Sequence, residues 1–408
     1  MTTQAIMPAP SLPAAAAPHQ ASVVVLTMMR PAGNTGVQTH TQVLLDGLAA
    51  RGLHAPLITP FSGRKWWKGV FAIRRLVLDF VNRNWALRWY RHWHFVALKQ
   101  SFLSHAKARP VSHVVATCPL SARAALEVRQ QLGRDFNVSM ICHFAYSHAR
   151  EAQDNGQLND PKTAQQIEQN EVDVFQAVDR VIYVSQSARK SLEQARDIFP
   201  KRSVVIWNGL SDHSRPTRVS RKELGLGERD LVLLMVGSLE RRKNQLALVD
   251  LFARLAREFE HAKLILVGEG PDRAALRRRA HQLGIENRVK LLGQRGDVPA
   301  LLAMCDLYIH YSLVETFGLA LLEAARAGVA SAALPSGGVP EVQANLQGGV
   351  LLHPTDEDMS MKILRLMLGS PAMRAELGRQ GRENFQRLFT QDAMVEAYWR
   401  ELGLDAAE

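Results

Sequence analysis

Short apolar runs recur along the chain, each bounded by polar or turn residues and most followed by a stretch with apolar positions three or four apart. They include Ser22-Val-Val-Val-Leu-Thr27, Val111–Ala116, Asn137–Cys142, Arg180-Val-Ile-Tyr-Val-Ser185, Ser203–Gly209, Leu231–Gly237 and Asp306–Ser312. Continuous rather than alternating apolar runs predict strands buried on both faces, as in parallel sheets covered by helices. The strand and helix patterns therefore predict doubly wound α/β architecture. After the first run, the loop Gly33-Asn-Thr-Gly36 leads into a predicted helix from Val37 to Ala50 that stops at Gly52.

The alternation pauses once. Ser203–Gly209 closes one series, residues 211–221 form a polar connection, and Leu231 opens a second series. Two domains are expected, 21–210 and 211–385, with a C-terminal helix in 386–408 returning to the first domain. An Ala- and Pro-rich tail, 1–20, is expected to be disordered. A chain of 408 residues exceeds the ~250–300 at which single cores stop growing. The ligand cleft should lie between the domains, at the carboxyl ends of both sheets.

Composition narrows the class. No run of about 18 apolar residues occurs, which excludes a predicted membrane-spanning helix. The first twenty residues lack the basic region and unbroken apolar core of a signal peptide. The cysteines, Cys118, Cys142 and Cys305, have no metal-ligand spacing, so a reduced cytoplasmic compartment is expected.

The densest candidate chemistry is Glu315-Thr-Phe-Gly-Leu-Ala-Leu-Leu-Glu323, with Ser336-Gly-Gly-Val-Pro-Glu341 shortly after. It follows a predicted strand, and Gly318 opens an amphipathic run, so backbone N–H groups at Phe317, Gly318 and Leu319 should form an anion site at a helix start. Were both glutamates on one helix, their Cα atoms would stand about 12 Å apart along the axis. That spacing suits opposite ends of a nucleotide-sugar better than a glycosidase pair, whose carboxyl groups lie roughly 5 to 9.5 Å apart. Asp356-Glu-Asp358 is the sequence's Asp-x-Asp, but it precedes a helical pattern where acids serve as caps, so no metal site is expected.

The Glu315–Glu323 stretch resembles the Glu-X7-Glu signature of retaining glycosyltransferases of family 4, which have the GT-B fold. Val267-Gly-Glu-Gly-Pro271, Leu292-Gly-Gln294, Ser312, Gly337-Gly-Val-Pro-Glu341 and Asn208-Gly209 occur in that family's order. The resemblance implies two Rossmann-like domains facing a central cleft. It implies catalytic roles for Glu315, His143 and Lys243, and donor contacts from Ser238, Lys243, Gly268, Gln294, Phe317, Gly318, Leu319 and Glu323. Gly36 joins the expected donor contacts from its own loop, a phosphate-type strand-to-helix turn for which an ordinary turn is the alternative. The resemblance further implies transfer without a cofactor or metal, the cations and helix start meeting the charge of the leaving diphosphate. The chain departs from the pattern at Ser238, where the family usually has arginine, leaving Lys243 as the matched cation and Arg241 or Arg242 as substitutes.

Net charge is +11, unevenly placed. From Arg64 to Arg109 there are eleven lysines and arginines against Asp79 alone, and five of the seven tryptophans. Apolar positions 70, 73, 77 and 80, then 85, 89, 93 and 96, keep helical spacing, the composition of a segment lying on an anionic membrane surface. Without a nucleic-acid-binding motif, nucleic acid is not an expected partner.

These features predict a cytoplasmic, membrane-peripheral retaining glycosyltransferase taking a nucleotide-sugar donor and a lipid-linked saccharide acceptor, as in cell-surface polysaccharide assembly. The rival enzyme reading is transfer to a soluble small molecule or sugar phosphate. The non-enzyme reading is a nucleotide- or membrane-binding scaffold.

Overall fold

A computed structural model describes residues 22–404 apart from 32, 34, 64–66, 74–81, 155, 157, 195 and 213–218. The described strands form two six-stranded sheets, parallel throughout. The first holds β1 (Val23–Leu26), β2 (Leu57–Ile58), β3 (His113–Ala116), β4 (Asn137–Cys142), β5 (Arg180–Tyr183) and β6 (Ser203–Val205) in the order β2-β1-β3-β4-β5-β6. The second holds β7 (Leu231–Val236), β8 (Ala262–Val267), β9 (Val289–Gly293), β10 (Leu307–His310), β11 (Ser331–Ala333) and β12 (Gly349–Leu351) in the order β12-β11-β10-β7-β8-β9. The connections therefore reverse direction between β1 and β3 in one sheet and between β7 and β10 in the other. Such points open a crevice at the carboxyl ends of the strands.

Both faces of the strands are dry. In β1, Val23 and Val25 join one apolar cluster while Val24 and Leu26 join another, and β7 divides in the same way, Val232 and Leu234 against Leu233 and Met235. This is the packing that a continuous apolar run requires. The Val23 and Val232 faces share a single cluster with Met394, Val395 and Tyr398 of the helix Gln391–Glu401. That helix packs on Gly36–Ala50 of the first domain, giving the GT-B arrangement with the expected C-terminal return. The two chain crossings touch: Leu210 bridges to Thr390, and a Cβ on Gly209 would stand 2.2 Å from the Thr390 carbonyl oxygen.

The described part of the basic aromatic segment turns most of its tryptophans inward. Arg64, Lys65, Trp66, Arg74, Arg75 and Asp79 lie outside the described residues, as do the side chains of Lys68 and Arg83. In the remainder, helices Trp67–Ile73 and Arg83–Ala108 pack on each other through their aromatic faces. Trp67 is buried against Phe71 and Trp93, Trp89 contacts Trp93 with ring centres 5.5 Å apart, and the Trp89 ring N–H donates to the Val70 carbonyl at 3.1 Å. Trp85 alone of these is largely exposed, at 58%. Part of the positive charge is also met internally, Arg88 by Asp160 and Lys99 by Glu127. Aromatic area gains more from mutual burial than from facing water, and acids far along the chain supply the counter-charges.

Candidate active site

Two loops leave the carboxyl ends of β7 and β10, where the second sheet reverses. After β7 the short turn Arg241–Lys243 brings Lys243 back beneath the cleft, and after β10 the loop 311–317 carries Glu315 toward it. Lys243 Nζ donates to Glu315 Oε2 at 2.6 Å, with side chains only 11% and 15% exposed. Burial by itself would raise the Glu315 pKa, but Lys243 and His310 outweigh it and hold the carboxyl well below the usual carboxylate range. His310 Nε2 stands 3.3 Å from the same Oε2 without hydrogen-bond geometry, and the Tyr308 hydroxyl lies 3.2 Å from His310 Nδ1.

Gly318, at φ 96°, caps the helix Leu319–Arg326, so the chain turns from the Glu315 loop into the helix at a left-handed residue that favours glycine. Leu319 begins the helix. The Phe317 side chain is buried toward Phe389, so only its backbone can serve the cleft. Glu315 lies in the loop and Glu323 within the helix, which keeps the two carboxylates on different elements. Burial raises the Glu323 pKa, partly offset by Arg326.

The first domain meets these loops directly. Thr316 Oγ1 donates to the His143 carbonyl at 3.0 Å, and Ser185 Oγ donates to the Thr316 carbonyl at 2.8 Å. His143 follows β4, and its ring contacts His40 edge-on with centres 4.7 Å apart. Burial, then His40, lowers the His143 pKa well below the usual histidine value, so its ring is neutral at pH 7. His40 is pinned on both nitrogens, Nδ1 2.6 Å from Asn208 Oδ1 and Nε2 3.1 Å from the Tyr398 hydroxyl, and burial lowers its pKa to about 4. Gly36 opens the helix Gly36–Ala50, capped by Thr35 and Gln38, and a Cβ there would stand 3.3 Å from Leu319 Cδ1. The two helix starts thus meet where the domains join.

Gly337 and Gly338 pack under the Glu315 loop, and a Cβ on Gly337 would come within 1.6 Å of the Glu315 carbonyl oxygen. Glu341, on the helix that follows, accepts from the Gln186 backbone N–H at 2.8 Å and the Trp207 ring N–H at 2.7 Å, joining the two domains. Buried polar atoms are nearly always paired, yet His143 Nε2, His310 Nε2, Ser312 Oγ and Ser336 Oγ lack a well-aligned hydrogen bond, all in segments adjoining Glu315.

The remaining expected donor contacts line the same edge of the second sheet. Ser238 follows β7 and donates to Glu240 Oε1 at 2.5 Å, an oxygen that Arg242 Nε also reaches at 2.7 Å. Arg241 and Arg242 are both exposed. Gly268 follows β8 so closely against β7 that a Cβ would stand 2.0 Å from the Gly237 carbonyl oxygen, and Gln294 is exposed just past β9. Asp356, by contrast, caps its helix by accepting from Met359 N at 2.9 Å, and Asp358 pairs with Arg254. The sequence assigns no individual role to His310, His40, Thr316 or Glu341. The available signal was a histidine inside the apolar run before Glu315, and the acid ending the Gly337 motif.

The two halves each match a known family profile: residues 34–213 match Glycosyltransferase Family 4, and residues 217–384 match Glycosyl transferases group 1. The chain belongs to the GT-B glycosyltransferases. Among curated proteins it is 32% identical over 182 residues to N-acetyl-alpha-D-glucosaminyl L-malate synthase of Bacillus anthracis, covering 44% of this chain and 46% of that protein. It is 24% identical over 206 residues to the lipopolysaccharide core biosynthesis glycosyltransferase LpsE of Rhizobium meliloti, covering 50% of this chain and 59% of the other. The chain therefore matches about half the length of these relatives. In fold it is similar to Anabaena Alr3699/HepE solved with UDP, at TM-score 0.70, 19% identity and coverage of 94% and 99%. It is also similar to WaaG, a glycosyltransferase of lipopolysaccharide biosynthesis, at TM-score 0.68, 18% identity and coverage of 92% and 99%.

Proposed function

We propose that the protein is a retaining, metal-independent glycosyltransferase that takes a nucleotide diphosphate sugar in the cleft between its sheets. The observation that carries this reading is the buried Lys243–Glu315 pair at the reversal point of the second sheet, on a loop that meets the first domain where Thr316 donates to the His143 carbonyl. Glu315 accepts from the sugar hydroxyls. The start of the helix Leu319–Arg326 receives the diphosphate, Lys243 adds positive charge as the diphosphate leaves, and Glu323 meets the ribose. Ser238 and Gln294 border the donor, and Gly268 lets the β7 and β8 loops close beneath it. Retention follows if the acceptor oxygen attacks on the face from which the diphosphate departs, the protein supplying orientation and charge rather than a covalent nucleophile. The UDP-bound fold neighbour and the family profiles support the donor class.

For the acceptor we propose a lipid-linked saccharide at the cytoplasmic membrane face. The names of the lipopolysaccharide-core and phosphatidylinositol-directed relatives support it, as does the excess of positive charge in 64–109. Two observations favour a soluble acceptor instead: the inward packing of Trp67, Trp89 and Trp93, and the similarity to an L-malate synthase. Among the described residues no helix is long and apolar enough to cross a membrane. One experiment tests the whole reading: a panel of nucleotide sugars in excess chelator, with membrane lipid extract or small hydroxy acids as acceptor, the product's anomeric configuration read by NMR. The expected result is a lipid-linked product with retained configuration. An inverted product, or activity restored only by magnesium or manganese, contradicts the mechanism, and transfer to hydroxy acids alone replaces the acceptor.

A further inference from the structure

Glu315 sits on a loop, so its carboxylate has no helix or strand of its own to fix its direction. Lys243 holds Oε2 at 2.6 Å, but an ammonium on a flexible stem is a point charge that sets distance more than orientation. A second group reaches the same oxygen. His310 ends β10, is buried to 1% exposure, and places Nε2 3.3 Å from Oε2. Tyr308, two residues earlier on the same face of the strand and fully buried, sets its hydroxyl 3.2 Å from His310 Nδ1. An ionised carboxylate can only accept, so with the proton on Nε2 the ring would offer it toward Oε2 while Nδ1 accepts from the Tyr308 O–H, although the 3.3 Å Nε2 contact does not have hydrogen-bond geometry in this structure. Among the described residues no hydrogen bond reaches Oε1.

We propose that His310 is a positioning residue for Glu315: with Lys243 it fixes Oε2, oriented in turn by Tyr308, so that Oε1 is the oxygen that accepts a hydroxyl of the transferred sugar. The proposal rests on the reading of Glu315 as the sugar-contacting carboxylate. Contacts of catalytic groups commonly shorten once substrate is in place, and the 3.3 Å separation leaves room for that. The line runs from the strand framework through two rigid rings to the loop, so the sheet helps to orient a carboxylate that is carried on a loop.

Two variants separate the contacts. Glutamine at 310 puts an amide N–H near the Nε2 position, whereas asparagine puts one near Nδ1 and leaves Glu315 without its second donor. His310→Gln should keep kcat within about 5-fold of wild type, and His310→Asn should lower kcat by about 30-fold or more with donor KM changed less than about 3-fold. Both should bind free nucleoside diphosphate as wild type does and melt at similar temperatures. Equal losses of kcat in the two variants, or a parallel loss of nucleotide binding, would overturn the proposal. If wild type turns over no nucleotide sugar, the functional reading fails first. The contact is then judged alone by 15N NMR of histidine-labelled protein, using the imidazole resonance that His310→Gln removes. Glu315→Gln should shift it, and an unmoved resonance overturns the proposal.

Discussion

Lys243 and Glu315 lie so far from water that each depends on the other's charge. Removing one partner of a buried pair typically costs 3–5 kcal/mol, because the partner left behind is uncompensated, whereas removing both costs less than the sum. Glu315→Gln and Lys243→Met should each lower stability by about 2–4 kcal/mol, and the double variant should recover at least about 1 kcal/mol of that sum. Denaturant titration checks the cycle. Strict additivity would mean that the 2.6 Å contact carries no coupling. The burial comes from segments distant along the chain, so this cost is not legible in the sequence around either residue. His40 makes a pH-dependent contribution of defined sign. Its folded pKa of about 4 lies below the ordinary 6.5, so the neutral ring stabilises the fold fully above pH 6.5. That contribution falls as pH drops from 6.5 toward 4, by about 3 kcal/mol at most. His143, also lowered by burial, acts in the same direction, while Glu315 adds its loss only below about pH 4.5. Melting temperature should therefore fall between pH 7 and 5, and less steeply in His40→Gln. Equal slopes in variant and wild type would contradict the buried, neutral assignment.

At the scale of elements, the start of the helix Leu319–Arg326 separates Glu315 from Glu323, the loop taking Glu315 toward Lys243 and the helix carrying Glu323 past the proposed diphosphate position. Glu323→Gln should weaken binding of free nucleoside diphosphate by about 5- to 30-fold, whereas Glu315→Gln should change it less than about 3-fold. Calorimetric titration giving the reverse order would contradict the orientation. The paired helices Trp67–Ile73 and Arg83–Ala108 make a different prediction. Trp89→Ala or Trp93→Ala should cost about 2–4 kcal/mol through lost aromatic packing, and Trp85→Ala, at an exposed position, less than about 0.5. If vesicle binding occurs, it should therefore be lost in Trp85→Ala without loss of stability. The part of a vesicle interaction that rests on charge should vanish at 1 M salt, where the Debye length is about 3 Å.

Across the whole molecule, the strands were legible because a continuous apolar run such as Val23–Leu26 or Leu231–Val236 has few other ways to bury both its faces. The polar break after Asn208-Gly209 marked where the chain crosses between sheets. Side-chain partners were not legible. His310 looks like one more member of a strand, Trp89 and Trp93 look like a surface stripe, and Asp160 and Glu127 are too distant in sequence to be assigned to Arg88 and Lys99. Which strand ends converge is set by topology. The order β12-β11-β10-β7-β8-β9 places the loops after β7 and β10 side by side, and the returning C-terminal helix links the domain that carries Glu315 to the one that carries His143. We propose that this convergence is a nucleotide-sugar site, and nucleoside diphosphate release from UDP-, GDP- and ADP-sugars, followed for wild type beside Glu315→Gln in excess chelator, decides it. Wild type should release diphosphate from one donor class, and Glu315→Gln should do so at least about 100-fold more slowly, of the order that loss of a transition-state contact produces. Equal rates in the two proteins, or no release from any donor by wild type, would contradict it.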